Sequence, residues 1–503
     1  MVTTTASSIL QGLTWHNRCA ALGEPWYTAQ QPLAIDAPYG VAFNADVAEL
    51  LGIDAEQAHK AGYAETLAGN HVPAGAEPVA HRYGGHQFGL WAGQLGDGRA
   101  VTLGEVVNSR GDSYEIQLKG SGQTPYSRFA DGRAVLRSTI REYLASEALA
   151  ALGIPTTRAL AIVGSDAPVY RETVETAAIL TRVAPSMVRF GSFEMLYYTR
   201  RHDDLAPLAD HVIEGHHPDL AAIEDPGERY RTWVARVIEW TAELVADWQA
   251  VGFVHGVLNT DNMSVLGLTL DYGPYGFMEN FNPRWICNHT DETGRYTYQQ
   301  QPTISLWNLG CFVQAILPLL ADEPEAAVEI GKGLLEDYGT IFDAAWQARM
   351  RAKLGLPDAA DGDGELIEGL LRRMATDGAD FTRTFRALGE MSADPDAGGA
   401  PFVDEFADRD AAADWLADWR RRLGATAADD AARGTRMQRT NPRYVLRNYL
   451  AQQAIERAQA GNYSEIERLH AILRHPFDDQ PEHADYARLP PDWARGLVLS
   501  CSS

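Results

Sequence analysis

Apolar residues recur on two periods along this chain, and the period changes with position. Between residues 80 and 190 alternation dominates. In "SYEIQLKG", Tyr114, Ile116 and Leu118 fall on one face and Glu115, Gln117 and Lys119 on the other, as in a strand with one apolar side. The β-branched run at 100–107 predicts a second strand, and Asn-Ser-Arg-Gly-Asp at 108–112 the hairpin loop between them. The period then lengthens. Leu136, Ile140, Leu144, Ala148 and Leu152 make one helical row, stopped by Gly153 and Pro155. Glu142 lies off that row, and Arg137, Arg141 and Glu147 read as equally plausible surface charges.

Within 228–252, Trp233, Val237, Trp240, Leu244 and Trp248 repeat at helical spacing and Gly252 suits the helix end. This aromatic stripe reads as core. "NTDNM" (259–263) predicts a loop, and "VLGLTLDYG" (265–273) a strand that ends at Asp271. From about residue 300 the pattern is helical, as in "LWNLGCFVQAILPLL" and "AAVEIGKGLLEDYGTIFDAAWQARM". "LGLPDAADGDG" and "MSADPDAGGAPFVD" read as loops between helices. "NPRYVLRNYLAQQAIERAQAG" predicts a helix that opens at Asn441-Pro442 and closes at Gly461. The expected class is α+β, with a mixed N-terminal half, a largely helical C-terminal half and no internal repeat.

Composition narrows the function classes. The 503 residues suggest two to four lobes or domains, and 45% hydrophobic with 22% charged residues is ordinary for a globular chain. The net charge of -25 argues against nucleic acid or an anionic membrane as partner, because either needs a basic footprint. Any anion site must be built locally from Arg and Lys. No run of 18 uninterrupted apolar residues occurs and the N-terminus lacks a signal-peptide pattern, so no membrane span and a cytoplasmic location are expected. Cys19, Cys287, Cys311 and Cys501 form no CxxC pair, which argues against a zinc knuckle or thioredoxin-type site. Cys501, in the terminal Cys-Ser-Ser, is expected to be exposed.

The candidate chemistry concentrates in two regions. Gly93 to Gly98 form a glycine-rich turn before a strand. Glycines let backbone N–H groups approach phosphates, although a plain hairpin turn reads the same way. No GxxxxGK[ST] or GxGxxG order is present. Lys119 ends its strand on the polar face. Alone it reads as a solvated lysine; beneath a glycine loop it can point at a phosphate. Arg128, Arg133 and Arg137, around the Asp131-Gly132 turn, suggest an anion site in so acidic a chain. Arg182 and Arg189 would share a face if their stretch were helical, with Pro185 as a break. Asn262 and Asp271 are the hard oxygen donors that Mg²⁺ prefers. "HGVLNTDNMSVLGLTLDYG" is similar to the catalytic and metal-binding segments of protein kinases, but Val257 stands where a kinase carries its aspartate base. Glycine loop, Lys119, Glu142, Asn262 and Asp271 follow one another in kinase-like order.

The longer matches are "HRYGGHQFGLWAGQLGDGRA", "YEIQLKGSGQTPYSRFADGRAVLRSTIREYLASEALAALGIPTTRAL", "GFVHGVLNTDNMSVLGLTLDYGPYGFMENF", "ICNHTDETGRY" and the terminal "CSS". On these stretches the chain resembles the selenoprotein O family of kinase-fold protein adenylyltransferases. The resemblance implies a two-lobed, protein-kinase-like fold that binds ATP inverted, so that AMP passes to Ser, Thr or Tyr hydroxyls of proteins. It implies nucleotide contacts from Gly96, Gly98, Arg99, Lys119, Asp131, Gly132, Arg182, Arg189 and Asp271. Glu142 would pair with Lys119. Asn262 and Asp271 would hold Mg²⁺, with Mn²⁺ as alternative, and Asp261 would be the base. The terminal Cys matches the family's selenocysteine position, and a regulatory disulfide between Cys501 and Cys287 is the corresponding expectation. The organisation implied is an N-terminal extension (1–79), an N-lobe (80–190), a C-lobe (191–330) and a helical C-terminal region (331–503), in a monomer.

Two other functions fit parts of the pattern. A small-molecule or protein phosphotransferase of the aminoglycoside-kinase type shares the His-Gly opening, but keeps an aspartate where Val257 stands. A non-catalytic pseudokinase scaffold predicts loss of Lys119, Asn262 or Asp271, and all three are present.

Overall fold

The computed structural model describes residues 9–497 apart from 57, 59–61, 357, 425–426 and 495. Its N-terminal part is built on a nine-stranded antiparallel sheet. The path runs Tyr27–Ala29, Val79–His81, Ala100–Val107, Ser113–Lys119, Val174–Ala184, Arg158–Tyr170 and Tyr39–Phe43. Ser113–Lys119 is central, so alternation does not leave a wet face: Glu115, Gln117 and Lys119 are buried along with Ile116 and Leu118. The apolar row packs with Leu103, Val47 and Leu51, the last two from the N-terminal helix Ala45–Leu51. The last member of the polar row, Lys119, reaches the helix Leu136–Ala151 through Glu142, and the structure places that helix where its apolar period predicts.

That helix is buried almost all round, because the C-terminal helices Asn448–Gln459 and Ser464–Leu473 cover its second side. The surface reading of Arg141 and Glu147 is therefore corrected. Arg141 donates to the Tyr275 carbonyl at 2.6 Å, and Glu147 pairs with Arg158 at 2.7 Å. A buried charge persists only with such partners.

The tryptophan stripe forms the helix Pro226–Val251, started by the Asp225 side chain and ended at Gly252 with φ 70°. Trp233 and Trp248 are fully buried and Trp240 is partly buried. The helices Gln301–Leu320 and Pro324–Lys353 pack against it. By length and composition Tyr298–Leu320 could cross a bilayer, yet Phe312 stacks on Phe190 and meets Phe193 and Trp233 in the core. Its buried polar side chains also serve the interior. Gln301 bonds the backbone of Phe253 and His255, and Asn308 that of Leu258.

Two sequence expectations change. Residues 265–270 form no strand; Gly267 turns the chain (φ 63°) so closely over Trp240 that a Cβ would come within 2.8 Å, leaving only isolated bridges at Ser264 and Thr269. The helix expected from Asn441 begins at Asn448, because buried contacts hold the preceding residues outside a helix: Asn441 bonds Arg386 and Lys353, and Arg447 pairs with Asp380 at 2.8 Å. The two predicted loops stand for most of their length, and the helices Asp363–Asp377 and Ala400–Val403 take up only residues near their ends.

Candidate active site

Sheet register explains how the charged residues meet. Gln117 lies opposite Arg182 on the adjacent strand, and Lys119 opposite Leu180. Both polar side chains thus point under the helix that carries Glu142. Lys119 Nζ lies 2.5 Å from Glu142 Oε2, and Arg182 binds the other carboxylate oxygen. Arg182 also donates to Gln117 at 3.1 Å, and Gln117 to Asp97 at 3.1 Å. Arg182 and Arg189 do converge, but not on a helical face. The strand ends at Ala184, the chain turns, and Arg189 stands just before the helix Phe190–Tyr198. The two meet on Asp271: Arg182 is ion-paired at 2.8 Å to one oxygen, and Arg189 to the other.

Asp271 has φ 59°, a left-handed conformation that aspartate tolerates better than most residues. Just before it, the Leu270 carbonyl lies 2.8 Å from the buried His255 ring, which pins the segment. Asn262 donates its amide N–H to the Val257 carbonyl at 2.9 Å, and its Oδ1, which has no hydrogen-bond partner among the described residues, can serve as a donor to a cation. Asn262 and Asp271 both line a cavity of about 670 Å³ that Lys119, Arg182 and Asp261 also reach. This oxygen pair suits a hard divalent ion.

The Asp261 carboxylate is covered by a hairpin that sequence reading missed. Gly84–Gln87 and Leu90–Gln94 pair antiparallel and lie against the loop at 259–262. His86 N–H donates to Thr260 Oγ1 at 2.7 Å, Phe88 N–H to Asn259 Oδ1 at 3.2 Å, and Gln87 to Asp261 Oδ2 at 3.3 Å. Gly85 passes so close that a Cβ there would lie 2.8 Å from Asp261 Oδ1. That oxygen is buried and has no hydrogen-bond partner among the described residues. Glycine density in 84–98 is the one sequence signal for this approach; its pairing partner is 174 residues away.

The glycine-rich turn shapes the cavity's other wall. Gly96 (φ 101°) and Gly98 pack against Tyr126, where a Cβ would collide at 2.5 and 2.9 Å. Gly132 (φ 69°) is pressed onto the Gly122 backbone. Arg99, Asp131 and Arg133 line the cavity, and Asp131 pairs with Arg171 at 2.8 Å. Arg128 and Arg137 do not join them. Arg128 donates to the Gln94 carbonyl, and Arg137 pairs with Glu175 at 3.1 Å. Gln87, Tyr83, Asp97 and Arg171 are cavity residues that sequence reading did not single out. Cys287 is buried beneath Gly256, donating to the Val254 carbonyl at 3.6 Å. Cys501 lies outside the described residues.

Electrostatics separate the two aspartates. Burial would raise Asp271, but Arg189, Arg182 and Lys119 hold it well below the usual carboxylate range. Burial pushes Asp261 up to about 7, with Arg189 opposing and the Asp271 charge adding to the rise. Burial also lowers Lys119 to about 8 against the pull of Glu142. One carboxylate thus stays ionised among cations, while the other can take up or release a proton near neutrality. Such divergence in one cavity suits phosphate binding combined with proton transfer.

Comparison with known proteins agrees in kind. A family model described as "Protein adenylyltransferase SelO" matches residues 9–474. A protein of Thioalkalivibrio sulfidiphilus named "Protein nucleotidyltransferase YdiU" is 52% identical over 500 residues, covering 98% of this chain and 99% of its own length. A protein of the same name from Paraburkholderia xenovorans is 52% identical over 493 residues, covering 96% and 94%.

Proposed function

The chain belongs to the protein adenylyltransferase SelO family, and from that premise we propose that this cavity passes AMP from ATP to Ser, Thr or Tyr hydroxyls of proteins. The protein is an enzyme, a nucleotidyltransferase. We further read its sheet-bearing and helical parts as the two lobes of a kinase-like fold that holds ATP with the α-phosphate toward the acceptor.

In this reading the acceptor oxygen attacks the α-phosphorus. The bond from that phosphorus to the bridging oxygen of the β-phosphate breaks, and pyrophosphate leaves with the electron pair. The acceptor's proton goes to Asp261. Lys119, Arg182 and Arg189 neutralise the phosphates, and Glu142 holds Lys119 and Arg182 in place. Positioning and charge neutralisation are the main resources for such a transfer. Gly96, Gly98, Asp131 and Gly132 form the wall that the nucleotide lies against, and Arg99 adds positive charge. Asn262 and Asp271 would hold Mg²⁺ or Mn²⁺, which when bound supplies further charge neutralisation at the phosphates. The acidic surface favours neither nucleic acid nor an anionic membrane as acceptor.

The observation that carries the reading is the Asp261 carboxylate: buried, tuned toward neutrality, and in the same cavity as the cation cluster. Val257 lines this cavity too, so the kinase position for a base is apolar while Asp261 offers a carboxylate in the same loop. ATP labelled at the α- or γ-phosphate separates the alternatives. Protein label from the α-phosphate alone supports AMP transfer. Label from the γ-phosphate alone supports a phosphotransferase, and label from neither supports a scaffold.

A further inference from the structure

We propose that His86, Glu194 and Cys311 form a binding site for a single transition-metal ion, Zn²⁺ by preference, separate from the nucleotide cavity. Each residue offers one donor atom, and the three atoms lie within 4.8 Å of one another. They come from three elements: the hairpin strand Gly84–Gln87, the helix Phe190–Tyr198 and the helix Gln301–Leu320. A nitrogen, a carboxylate oxygen and a sulfur brought together from positions 86, 194 and 311 make the mixed donor set of a zinc site with a fourth position open. No sequence spacing could reveal it.

A second observation points to a ligand. The Glu194 side chain is fully buried. Its Oε1 lies 2.5 Å from His86 Nδ1, but its Oε2 has no hydrogen-bond partner among the described residues. A buried carboxylate oxygen left so is costly, and a coordinated cation removes the cost. The rings of Trp91, Tyr198 and Trp307 stand 5.3, 5.6 and 5.4 Å from the His86 ring and shield the site. Such a wall lowers the local dielectric and favours ion–ligand attraction.

Donor chemistry distinguishes this site from the nucleotide cavity, which none of the three residues lines. Thiol and imidazole select Zn²⁺, Co²⁺ or Ni²⁺, whereas the oxygens of Asn262 and Asp271 select Mg²⁺ or Mn²⁺. Bound metal would also fasten the hairpin. The His86 N–H already donates to Thr260, next to Asp261.

The test is metal binding by the full-length chain after chelator treatment. Equilibrium dialysis is expected to show a single tightly held Zn²⁺ per chain. Co²⁺ is expected to give thiolate-to-metal charge-transfer absorption. That band should vanish in Cys311→Ser and persist in Asn262→Ala. His86→Gln and Glu194→Gln should weaken Zn²⁺ binding by about tenfold or more. No stoichiometric Zn²⁺ uptake by the unmutated chain, no thiolate band with Co²⁺, or a band unchanged in Cys311→Ser would each overturn the site. The cobalt spectrum of the unmutated chain keeps the test decisive even where a variant folds poorly.

Discussion

Gln87 donates a hydrogen bond to the Asp261 carboxylate at 3.3 Å, joining residues 174 positions apart in the chain. The bond favours the ionised carboxylate, while burial pushes the group up to about 7. A base must be ionised to act, so AMP transfer should rise with pH through an acid limb near neutrality. Gln87→Leu removes a stabiliser of the charged form, and the limb should move to higher pH. A pH–rate profile at saturating nucleotide checks this; a limb that stays put or moves down contradicts it.

The same burial has a price in stability. The folded state holds a proton on Asp261 up to about pH 7, whereas an unfolded aspartate releases it near about pH 3.9. Between those values the folded chain binds more protons than the unfolded chain, so this group's contribution to stability falls as pH rises. Asp261→Asn abolishes that loss. The variant should gain stability relative to the unmutated chain at pH 8, and gain less at pH 5. Thermal unfolding at the two pH values measures the difference, and a larger gain at pH 5 would contradict it.

Among the described residues Glu142 is the carboxylate ion-paired directly with both Lys119 and Arg182, and it is 1% exposed. Glu142→Ala leaves two buried cations short of a partner. Removing one member of a buried pair costs about 3–5 kcal/mol. Denaturant unfolding should show a loss of that order, with nucleotide affinity reduced as well. Unchanged stability and affinity would argue against the network.

Gly85 lies where even a methyl group would meet Asp261, at 2.8 Å from its Oδ1 and 3.1 Å from its backbone N. Backbone cannot yield as a flexible side chain can. Gly85→Ala should therefore slow AMP transfer by displacing Asp261, while ATP affinity stays within a few-fold. Kinetics that match the unmutated chain would contradict the close approach.

How much of this was legible in the chain depended on range. The helix bearing Glu142 and the strand ending at Lys119 follow from local periods of 3.6 and 2, and both stand where those periods place them. The strand expected before Asp271 does not form, because the close packing of Gly267 on Trp240 is a tertiary contact with no local signature. The same holds for the hairpin over Asp261 and for Arg141 and Glu147, whose burial depends on elements far along the chain. The segment around "NPRYVLRNYL" shows no role in its sequence alone. In space Arg447 is buried between Asp380 and Glu279, and Asn448 bonds the Phe277 carbonyl, a few residues beyond Asp271. Arg447→Ala should accordingly cost roughly 3–5 kcal/mol in a denaturation experiment, because it strands the buried Asp380.

The most direct test of Asp261 as the base is the rate of AMP transfer from α-labelled ATP to protein by Asp261→Asn. The substitution keeps the side chain's size and removes its capacity to accept the acceptor's proton. ATP binding is expected to stay close to that of the unmutated chain, with a rate lower by roughly 10²- to 10⁴-fold. Transfer within a few-fold of the unmutated rate would show that Asp261 is not the base.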